Sequence, residues 1–436
     1  MRHIRRTIGF EISVKASIDA KTTKIVFTSD ESLNCNKNLL SYSYTESMRQ
    51  IQGNFSLSAA YSEDLDKIEV HDVVTIREGV EGNRRTMFIG LVKNISHSKK
   101  MNDNGQVTSV INIAGSNIFG LISESKLVVD RAVIGNLCTS DAATKFQNAL
   151  SESVDKDGDL SDVITAVINA FMALKEENMQ GSEYYNGIIN NISVQADKLK
   201  AKYPMALGYL GTQQCTLWQL ISQIVPAPIY ECFLAINETG SKYNLIVREN
   251  PFLQGTKVAS SELDSLYLKG VDLHKKDNEV YSYYLAQITG AGLTKNIIQV
   301  EMDGSKEPGE TADEDNAGKM QKDITNIDKD MMARFGYRPL IVECGFFDHT
   351  KTTDNAIEIS RSITTALQNA NKDNHKKLSG TIDALHDGKR WNVGTVVKCE
   401  NKEFYIEEIE NRWSYGQAHT RRFYVTRGGN AVNQGC

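Results

Sequence analysis

The strongest constraint on this chain is a change of hydrophobic periodicity along its length. From residue 7 to about residue 125, apolar residues alternate with polar ones, as at Phe10, Ile12 and Val14 and again at Val74 and Ile76. An apolar residue at every second position is typical of a strand with one buried face. Several such strands with few helix signals predict an antiparallel barrel or sandwich.

A long strand and a hairpin are predicted near the end of this region. The strand covers residues 86–96, where Gly90 indicates a bend or bulge. The next strand follows the segment Asn102-Asp-Asn-Gly, and its Asn-Gly pair is a frequent hairpin turn. We therefore expect the two strands to pair in an antiparallel manner.

The periodicity becomes helical between residue 139 and about residue 225. Apolar residues recur at steps of three and four from Leu160 to Leu174, which predicts a helix with one wide apolar face. A further helix is expected within residues 184–203. Another runs from Thr216 to Ile224 and stops at Pro226 and Pro228, because proline does not continue a helix.

Strand patterns return after residue 229 and continue to the end of the chain, with one acidic interruption. The segment 303–328 is polar and highly charged, which predicts a mobile loop. The expected elements are a hairpin over 229–236 and 243–248, a helix over 354–372, and strands at 382–385, 393–399, 404–410 and 421–427.

This order of elements predicts a mixed α+β fold, mainly β, with two antiparallel β-barrels and an inserted helical region. We divide the chain into a first β-barrel (1–130), a helical insertion (131–228), a β-rich segment that begins the second barrel unit (229–300), a mobile acidic loop (301–330), and a helix with the remainder of the second barrel (331–436).

Composition narrows the functional classes. The 436 residues carry a net charge of −6, so the chain lacks the basic field of a dedicated nucleic-acid binder. No apolar run approaches the roughly 20 residues that span a bilayer. The basic start, Met1 to Arg6, leads into a strand-like segment and not an apolar one, so we expect no signal peptide and assembly in a cytoplasm.

No spacing of cysteines or histidines indicates a metal or catalytic site. The seven cysteines are odd in number and form no Cys-x-x-Cys pair, so we expect most of them to be buried apolar groups. The eight histidines form no His-x-x-x-His or His-Glu-x-x-His pair. The cysteines are Cys35, Cys138, Cys215, Cys232, Cys344, Cys399 and Cys436, and the histidines are His3, His71, His97, His274, His349, His375, His386 and His419.

Other candidate chemistry is equally weak. The segment Asp155-Lys-Asp-Gly-Asp resembles a calcium loop, but Leu160 and Ala166 occupy the positions that need glycine and glutamate. No Gly-x-Ser-x-Gly elbow or phosphate loop is present. Trp413 fits either core packing or a partner contact, and packing is favoured. We therefore predict no catalytic, cofactor-binding or metal-binding residues, no cofactor, and no enzyme.

The C-terminal segments resemble the ending of phage tail hub proteins. They are Trp391-Asn-Val-Gly-Thr-Val-Val-Lys-Cys, Glu403-Phe-Tyr-Ile-Glu-Glu-Ile-Glu-Asn-Arg-Trp-Ser-Tyr-Gly and Thr420-Arg-Arg-Phe-Tyr-Val-Thr-Arg-Gly-Gly. Further segments are similar to the same family in the same order: Phe88-Ile-Gly-Leu-Val, Thr216-Leu-Trp-Gln-Leu-Ile, Leu245-Ile-Val-Arg-Glu-Asn-Pro-Phe and Phe335-Gly-Tyr-Arg-Pro-Leu. The family is that of tail-tube-like, double-barrel baseplate hubs, similar to late control protein D.

The resemblance implies a structural role without catalysis. Each chain would contribute two tube-type barrels, so a homotrimeric ring would join the sixfold tail tube to a threefold spike. The implied partners are further copies of the chain, the tube protein and the spike, with tape-measure and baseplate wedge proteins as additional neighbours. DNA would pass only transiently through the channel, and this chain would not insert into a membrane. The implied location is the virion tail or baseplate of a long-tailed phage or contractile injection system.

Two alternatives remain open at this point. One is a hub that also degrades cell walls as a glycosidase or peptidase, for which two suitably placed carboxyl groups would be needed. The other is an unrelated soluble β protein that binds carbohydrate.

Overall fold

The structure is a computed structural model that describes residues 8–18, 20–29, 38–80, 82–101, 107–124, 126–128, 192–196, 214–225, 227–255, 257–277, 279–287, 325–343 and 353–430. Several predicted features lie outside the described residues: the helices expected between 139 and 203, the calcium-like loop at Asp155, and the acidic loop up to residue 324. The last residues assigned to that loop form a strand and the start of a helix.

The described part of the chain is mainly β, as predicted. Its strands, numbered in chain order, are β1 Gly9–Lys15, β2 Thr23–Thr28, β3 Leu39–Ser47, β4 Asn54–Ala60, β5 Val73–Val80, β6 Asn83–Met101, β7 Val107–Asn117, β8 Lys126–Val128, β9 Ile192–Ala196, β10 Gln214–Thr216, β11 Tyr230–Ile236, β12 Tyr243–Glu249, β13 Ser260–Glu262, β14 Leu268–His274, β15 Tyr283–Gln287, β16 Thr325–Ile327, β17 Pro339–Glu343, β18 Leu378–Leu385, β19 Val396–Cys399, β20 Lys402–Ser414 and β21 Thr420–Asn430.

Within the described ranges, helices are fewer and mostly short. They are α1 Phe119–Glu124, α2 Leu217–Ile224, α3 Pro251–Gln254, α4 Lys329–Phe335 and α5 Thr353–Asn371, with 3-10 helices at Glu63–Lys67 and Asn374–Lys376. The predicted helices at 216–224 and 354–372 are therefore confirmed, with Thr216 as the N-cap of the first. Thr216 begins α2 with a capping box, because its hydroxyl accepts from the Gln219 N–H while the Gln219 side chain accepts from the Thr216 N–H. None of the described helices has the length and apolar character needed to cross a membrane.

Thirteen strands form one sheet that contains both the first and the last of the described strands. Its order is β14-β18-β21-β20-β3-β4-β7-β6-β5-β1-β2, with β19 paired to β20 and β13 paired to β19. All of these neighbours are antiparallel except β13 and β19. We call β1–β7 the N-terminal β-unit, and β13, β14 and β18–β21 the C-terminal β-unit. Smaller sheets are β10-β8, β11-β12-β9 and β16-β15-β17.

Strand β20 joins the two units because it has two neighbours along one edge. Its first residues, Lys402–Tyr405, pair with β19, whereas Glu408–Ser414 pair with Ser41–Ser47 of β3. Strand β21 pairs with the opposite edge over almost the whole length of β20. The main sheet is therefore continuous from one β-unit to the other.

The long strand predicted near residue 90 is confirmed and is longer than expected. Strand β6 pairs with β5 up to Leu91 and with β7 from Gly90 onward. The irregularity in the β6–β7 pairing lies between Val92 and Asn94, and not at Gly90. The expected antiparallel pairing of β6 with β7 is confirmed, as is the hairpin of β11 and β12.

Each β-unit has its own apolar core on one face of the main sheet. Side chains such as Ile12, Leu57 and Ile113 form the N-terminal core, and side chains such as Ile406 and Phe423 form the C-terminal core. The buried thiol of Cys399 packs in the second core, as expected for a small apolar group. A third core lies between α5 and the β16-β15-β17 sheet.

Trp413 packs across the two units, which confirms packing as its role. Its ring lies 4.5 Å from that of Phe10 and 5.8 Å from that of Tyr42, measured between centroids.

Candidate functional site

Opposite its apolar cores, the main sheet has a face of small polar side chains in the N-terminal β-unit. Directly paired residues of antiparallel strands point to the same side of the sheet. The register pairs Ser43 with Ser56 and Ser41 with Ser58, and it pairs Ser58 with Asn112 on the next strand. This surface is therefore rich in hydroxyl groups and poor in charge.

The same face continues into the C-terminal β-unit, where charged residues replace the hydroxyls. Arg412 pairs in register with Ser43, and Glu410 lies opposite Arg422. The charges are matched locally, because Arg422 donates to Asp383 at 2.6 Å and Arg412 contacts Glu410 at 2.5 Å. We call this continuous surface, from β7 to β18, the polar face.

A buried group of ionisable side chains lies on the other side of the sheet, between the two units. Glu78 on β5 is fully buried, and its carboxylate accepts hydrogen bonds from the hydroxyls of Tyr42 at 3.0 Å and Tyr44 at 2.8 Å. Nε2 of His386 lies 2.7 Å from one oxygen of that carboxylate, and Nε2 of His419 lies 3.3 Å from the other. We call these five residues the junction cluster.

Contacts within the junction cluster also show how the sheet curves. In the strand order, β4, β7 and β6 separate β3 from β5. Tyr42 and Tyr44 on β3 nevertheless donate to Glu78 on β5. The N-terminal β-unit therefore curls until β5 faces β3 across the core.

The C-terminal β-unit supplies the histidines and a cation. His386 follows β18 and His419 precedes β21, and their rings stack with centroids 4.3 Å apart and planes at 20°. The backbone N–H of His386 donates to the carbonyl of His419 at 3.0 Å, which fixes the two turns to each other. Arg421 lies beside them and donates to Asn411 at 2.8 Å and to Asp387 at 2.9 Å.

Two imidazoles and a carboxylate within 4.8 Å of one another are a donor set that zinc accepts. A zinc-bound imidazole needs its lone pair on the nitrogen facing the metal and its proton on the other nitrogen. His386 does not offer this arrangement, because its Nδ1 accepts from the Gly388 N–H at 3.0 Å and its Nε2 faces Glu78 at 2.7 Å. Nη2 of Arg421 also lies 2.7 Å from that Nε2. The geometry fits a hydrogen-bonded network and does not fit a metal centre.

The environment sets opposite charge states within the cluster. Burial alone would raise the pKa of Glu78, but His419 and His386 outweigh it and hold the pKa well below its usual value. Burial and then the nearby Arg421 guanidinium lower the pKa of His386 to about 4, against the opposing effect of Glu78. At neutral pH Glu78 is therefore ionised and His386 is neutral.

The junction cluster was not found by sequence analysis, which named His386 and His419 only as histidines without a motif. Its members come from β3, β5 and the turns next to β18 and β21, so no fixed spacing relates them. The only local signal is the His386-Asp387-Gly388 turn directly after an apolar strand.

Comparisons with known proteins find similar folds among solved structures but no similar sequences. No protein-family model matches the chain, and no curated protein sequence matches it either. Among solved structures, the 43 kDa tail protein of prophage MuSo2 from Shewanella oneidensis has a TM-score of 0.50 at 14% identity, covering 96% of this chain and 98% of that one. The chain therefore shares the fold of that protein over nearly its whole length.

Two further structures are similar at lower scores. A tail protein from Neisseria meningitidis MC58 has a TM-score of 0.47 at 11% identity, over 96% of each chain. The E. coli c3393 protein, described as a type VI secretion component with structural similarity to the T4 tail proteins gp27 and gp5, has a TM-score of 0.40 at 7% identity, over 93% of this chain and 77% of that one.

Proposed function

We propose that this chain is a structural component of a phage-type tail tip or baseplate and not an enzyme. The observation that carries the proposal is the fold shared with the MuSo2 tail protein over nearly the whole of both chains. The ordered segments that resemble tail hub proteins support the same role. That resemblance is one of sequence, whereas the comparison with the MuSo2 protein is one of three-dimensional structure.

Within that role, we propose a hub in which three copies form a ring. Each chain would contribute two tube-type barrels, built from the N-terminal and C-terminal β-units, so the ring would have six barrel positions. The curl that brings β5 to face β3 supports a barrel-like N-terminal unit. A closed ring would also pair or cover strand edges that otherwise invite aggregation. Such a ring would connect a sixfold tail tube to a threefold spike.

We propose that the polar face lines the central channel of this ring. A channel that lets DNA pass must not hold its phosphates, and unpaired cations bind them strongly. The face fits this requirement, because its N-terminal part carries hydroxyls and its arginines Arg412 and Arg422 lie against Glu410 and Asp383. Contact with DNA would then be transient.

The proposed partners are further copies of the chain, the tail tube protein and the spike protein, with tape-measure and wedge proteins as additional neighbours. The proposed location is the virion tail, after assembly in the host cytoplasm.

Size-exclusion chromatography with light scattering tests the ring directly. We expect a trimer at micromolar concentration, or trimers that form when the tube protein from the same gene cluster is added. Electron microscopy of the mixture should show the chain at one end of the tubes. A chain that stays monomeric and never associates with tubes would contradict the hub.

Two assays separate the alternatives. Zymography on peptidoglycan is expected to show no cleared band, and a cleared band that tracks the purified chain would contradict a purely structural role. A glycan array is expected to show no specific binding, whereas strong binding without any association with tubes would favour the carbohydrate-binding alternative.

A further inference from the structure

The junction cluster connects the two β-units through groups that change charge with pH. Glu78, Tyr42 and Tyr44 belong to the N-terminal β-unit, and His386 and His419 belong to the C-terminal β-unit. Glu78 and His386 side chains are fully buried, and that of His419 is 6% exposed. Water therefore cannot screen a charge that appears inside the cluster.

Proton uptake by His386 has a direct structural cost. Its Nε2 already faces the Glu78 carboxylate and Nη2 of Arg421, each at 2.7 Å, so an added proton must go to Nδ1. Nδ1 now accepts from the Gly388 N–H at 3.0 Å, and two donors cannot face each other there. The turn that contains Gly388 must move, and the hydrogen bond from the His386 N–H to the His419 carbonyl transmits that movement to the second turn.

The surrounding charges do not offset a positive charge on His386. From β5, only the Glu78 carboxylate faces the two rings, and from β3 the facing groups are the hydroxyls of Tyr42 and Tyr44. From β21, Arg421 brings a fixed positive charge to 2.7 Å from Nε2 of His386. Asp387 beside them is already paired with Arg421 at 2.9 Å.

We propose that the junction cluster is an acid-sensitive latch that holds the two β-units together while His386 is neutral and releases their join when His386 takes up a proton. This inference does not depend on the proposed role in a tail. The join that opens is the pairing of β3 with β20. The cluster residues Tyr42 and Tyr44 lie on β3, and Arg421 on β21 pairs with Asn411 of β20.

The direction of the pH effect follows from the shifted pKa of His386. This pKa is about 4 in the closed state and returns toward the usual value of 6.5 when the turn opens. Between these two values the open state binds a proton that the closed state does not bind. The equilibrium constant for opening therefore rises about tenfold for each pH unit of acidification and each proton taken up.

Tryptophan fluorescence reports on the join. Trp413 packs on Phe10 and Tyr42 across the units, and Trp391 donates from Nε1 to Asp387 at 3.0 Å. The third tryptophan, Trp218, packs on Phe119 away from the cluster, so a Trp218→Phe variant leaves two reporters that both lie at the junction.

The experiment follows the emission of the full-length Trp218→Phe protein and its far-ultraviolet circular dichroism as the pH falls from about 6.5 to about 4. We expect a red shift of the emission over this range, ahead of the main loss of the strand signal. In the same background, His386→Gln with His419→Gln should reduce the shift at least about threefold, since the amides keep a donor toward Glu78 and take up no proton. His97→Gln, at an exposed histidine on β6, is the matched control and should behave like the parent.

Three results would overturn the latch. One is a red shift in the double variant equal to that of the parent. Another is no shift of the parent above about pH 4, a measurement that needs no histidine variant and so decides the matter even if the double variant does not fold. The third is a change of emission at neutral pH on adding EDTA or zinc chloride, which would identify a metal site in place of a proton-operated one.

Discussion

Glu78 on β5 and Glu46 on β3 differ in charge because their hydrogen-bond partners differ. Glu78 accepts from two tyrosine hydroxyls and faces two imidazoles, so it stays ionised. Oε1 of Glu46 on β3 is out of contact with solvent and has no hydrogen-bond partner among the described residues. Burial raises the pKa of Glu46 to about 8, although Arg390 and Arg421 act in the opposite direction. Burial alone therefore does not decide the charge state.

Replacement of Glu46 by glutamine should stabilise the protein at alkaline pH. The folded state binds a proton at Glu46 between pH 4.5 and about 8 that the unfolded state does not bind, so the wild type loses stability as pH rises through this range. We expect Glu46→Gln to gain about 1–3 kcal/mol over the wild type near pH 8 and less near pH 5. Urea denaturation at both pH values measures the difference. Glu63→Gln, at an exposed position, is the control, and an equal gain at both pH values would contradict the shifted pKa.

Loss of one tyrosine hydroxyl in the junction cluster should lower the free energy of unfolding more than loss of an exposed tyrosine hydroxyl. Tyr44→Phe removes a donor at 2.8 Å from the buried Glu78 carboxylate, and hydrogen bonds to charged groups contribute about 1.5–3 kcal/mol. The matched control is Tyr415→Phe, where the tyrosine is 77% exposed and should cost less than about 0.5 kcal/mol. Urea midpoints at neutral pH compare the two variants. Equal, small effects would mean that Glu78 does not depend on this donor.

At the scale of elements, local pattern predicted which segments form strands and which consecutive strands form hairpins, but not which distant strands become neighbours. The alternation around Phe404 and Phe423 is sufficient to identify β20 and β21, and the run of apolar residues from Thr216 to Ile224 identifies α2. The pairing of β20 with β3 joins residues more than three hundred positions apart, and it depends on register and on backbone hydrogen bonds common to all residues. The junction cluster depends on that pairing, so it could not be predicted either.

The close approach of β6 and β7 requires glycine at one position. A Cβ added at Gly115 would lie 1.9 Å from the carbonyl oxygen of Leu91 on the paired strand. We expect Gly115→Ala to destabilise the protein by about 1–3 kcal/mol or more, because the backbone of β6 must shift. Gly270→Ala on β14 is the control, since its Cβ would have no neighbour within 4 Å. Thermal denaturation that gave the same midpoint for both variants would be inconsistent with this packing.

At the scale of the whole molecule, the two β-units have separate cores but share one sheet. The N-terminal core contains Leu57 and the C-terminal core contains Ile406, and both side chains are fully buried. Backbone pairing through β20, the packing of Trp413 on Phe10, and the junction cluster all connect the cores. A unit that unfolded alone would expose the edge of the other unit and leave Glu78 or its histidines buried without partners. These connections predict cooperative unfolding of both units.

This cooperativity can be measured with one cavity variant in each core. Leu57→Ala and Ile406→Ala each remove buried methyl groups, which costs about 2–5 kcal/mol. If the units unfold together, each variant lowers the midpoint of the same urea transition, and fluorescence and circular dichroism coincide with an unchanged slope. If they unfold separately, Leu57→Ala moves only part of the signal and leaves a second transition at its wild-type position. Leu266→Ala is the control, because that side chain is 53% exposed and its loss should leave the midpoint almost unchanged. Near pH 4 the junction cluster accepts a proton only when its turn moves, so a transition that is single at neutral pH should separate into two there.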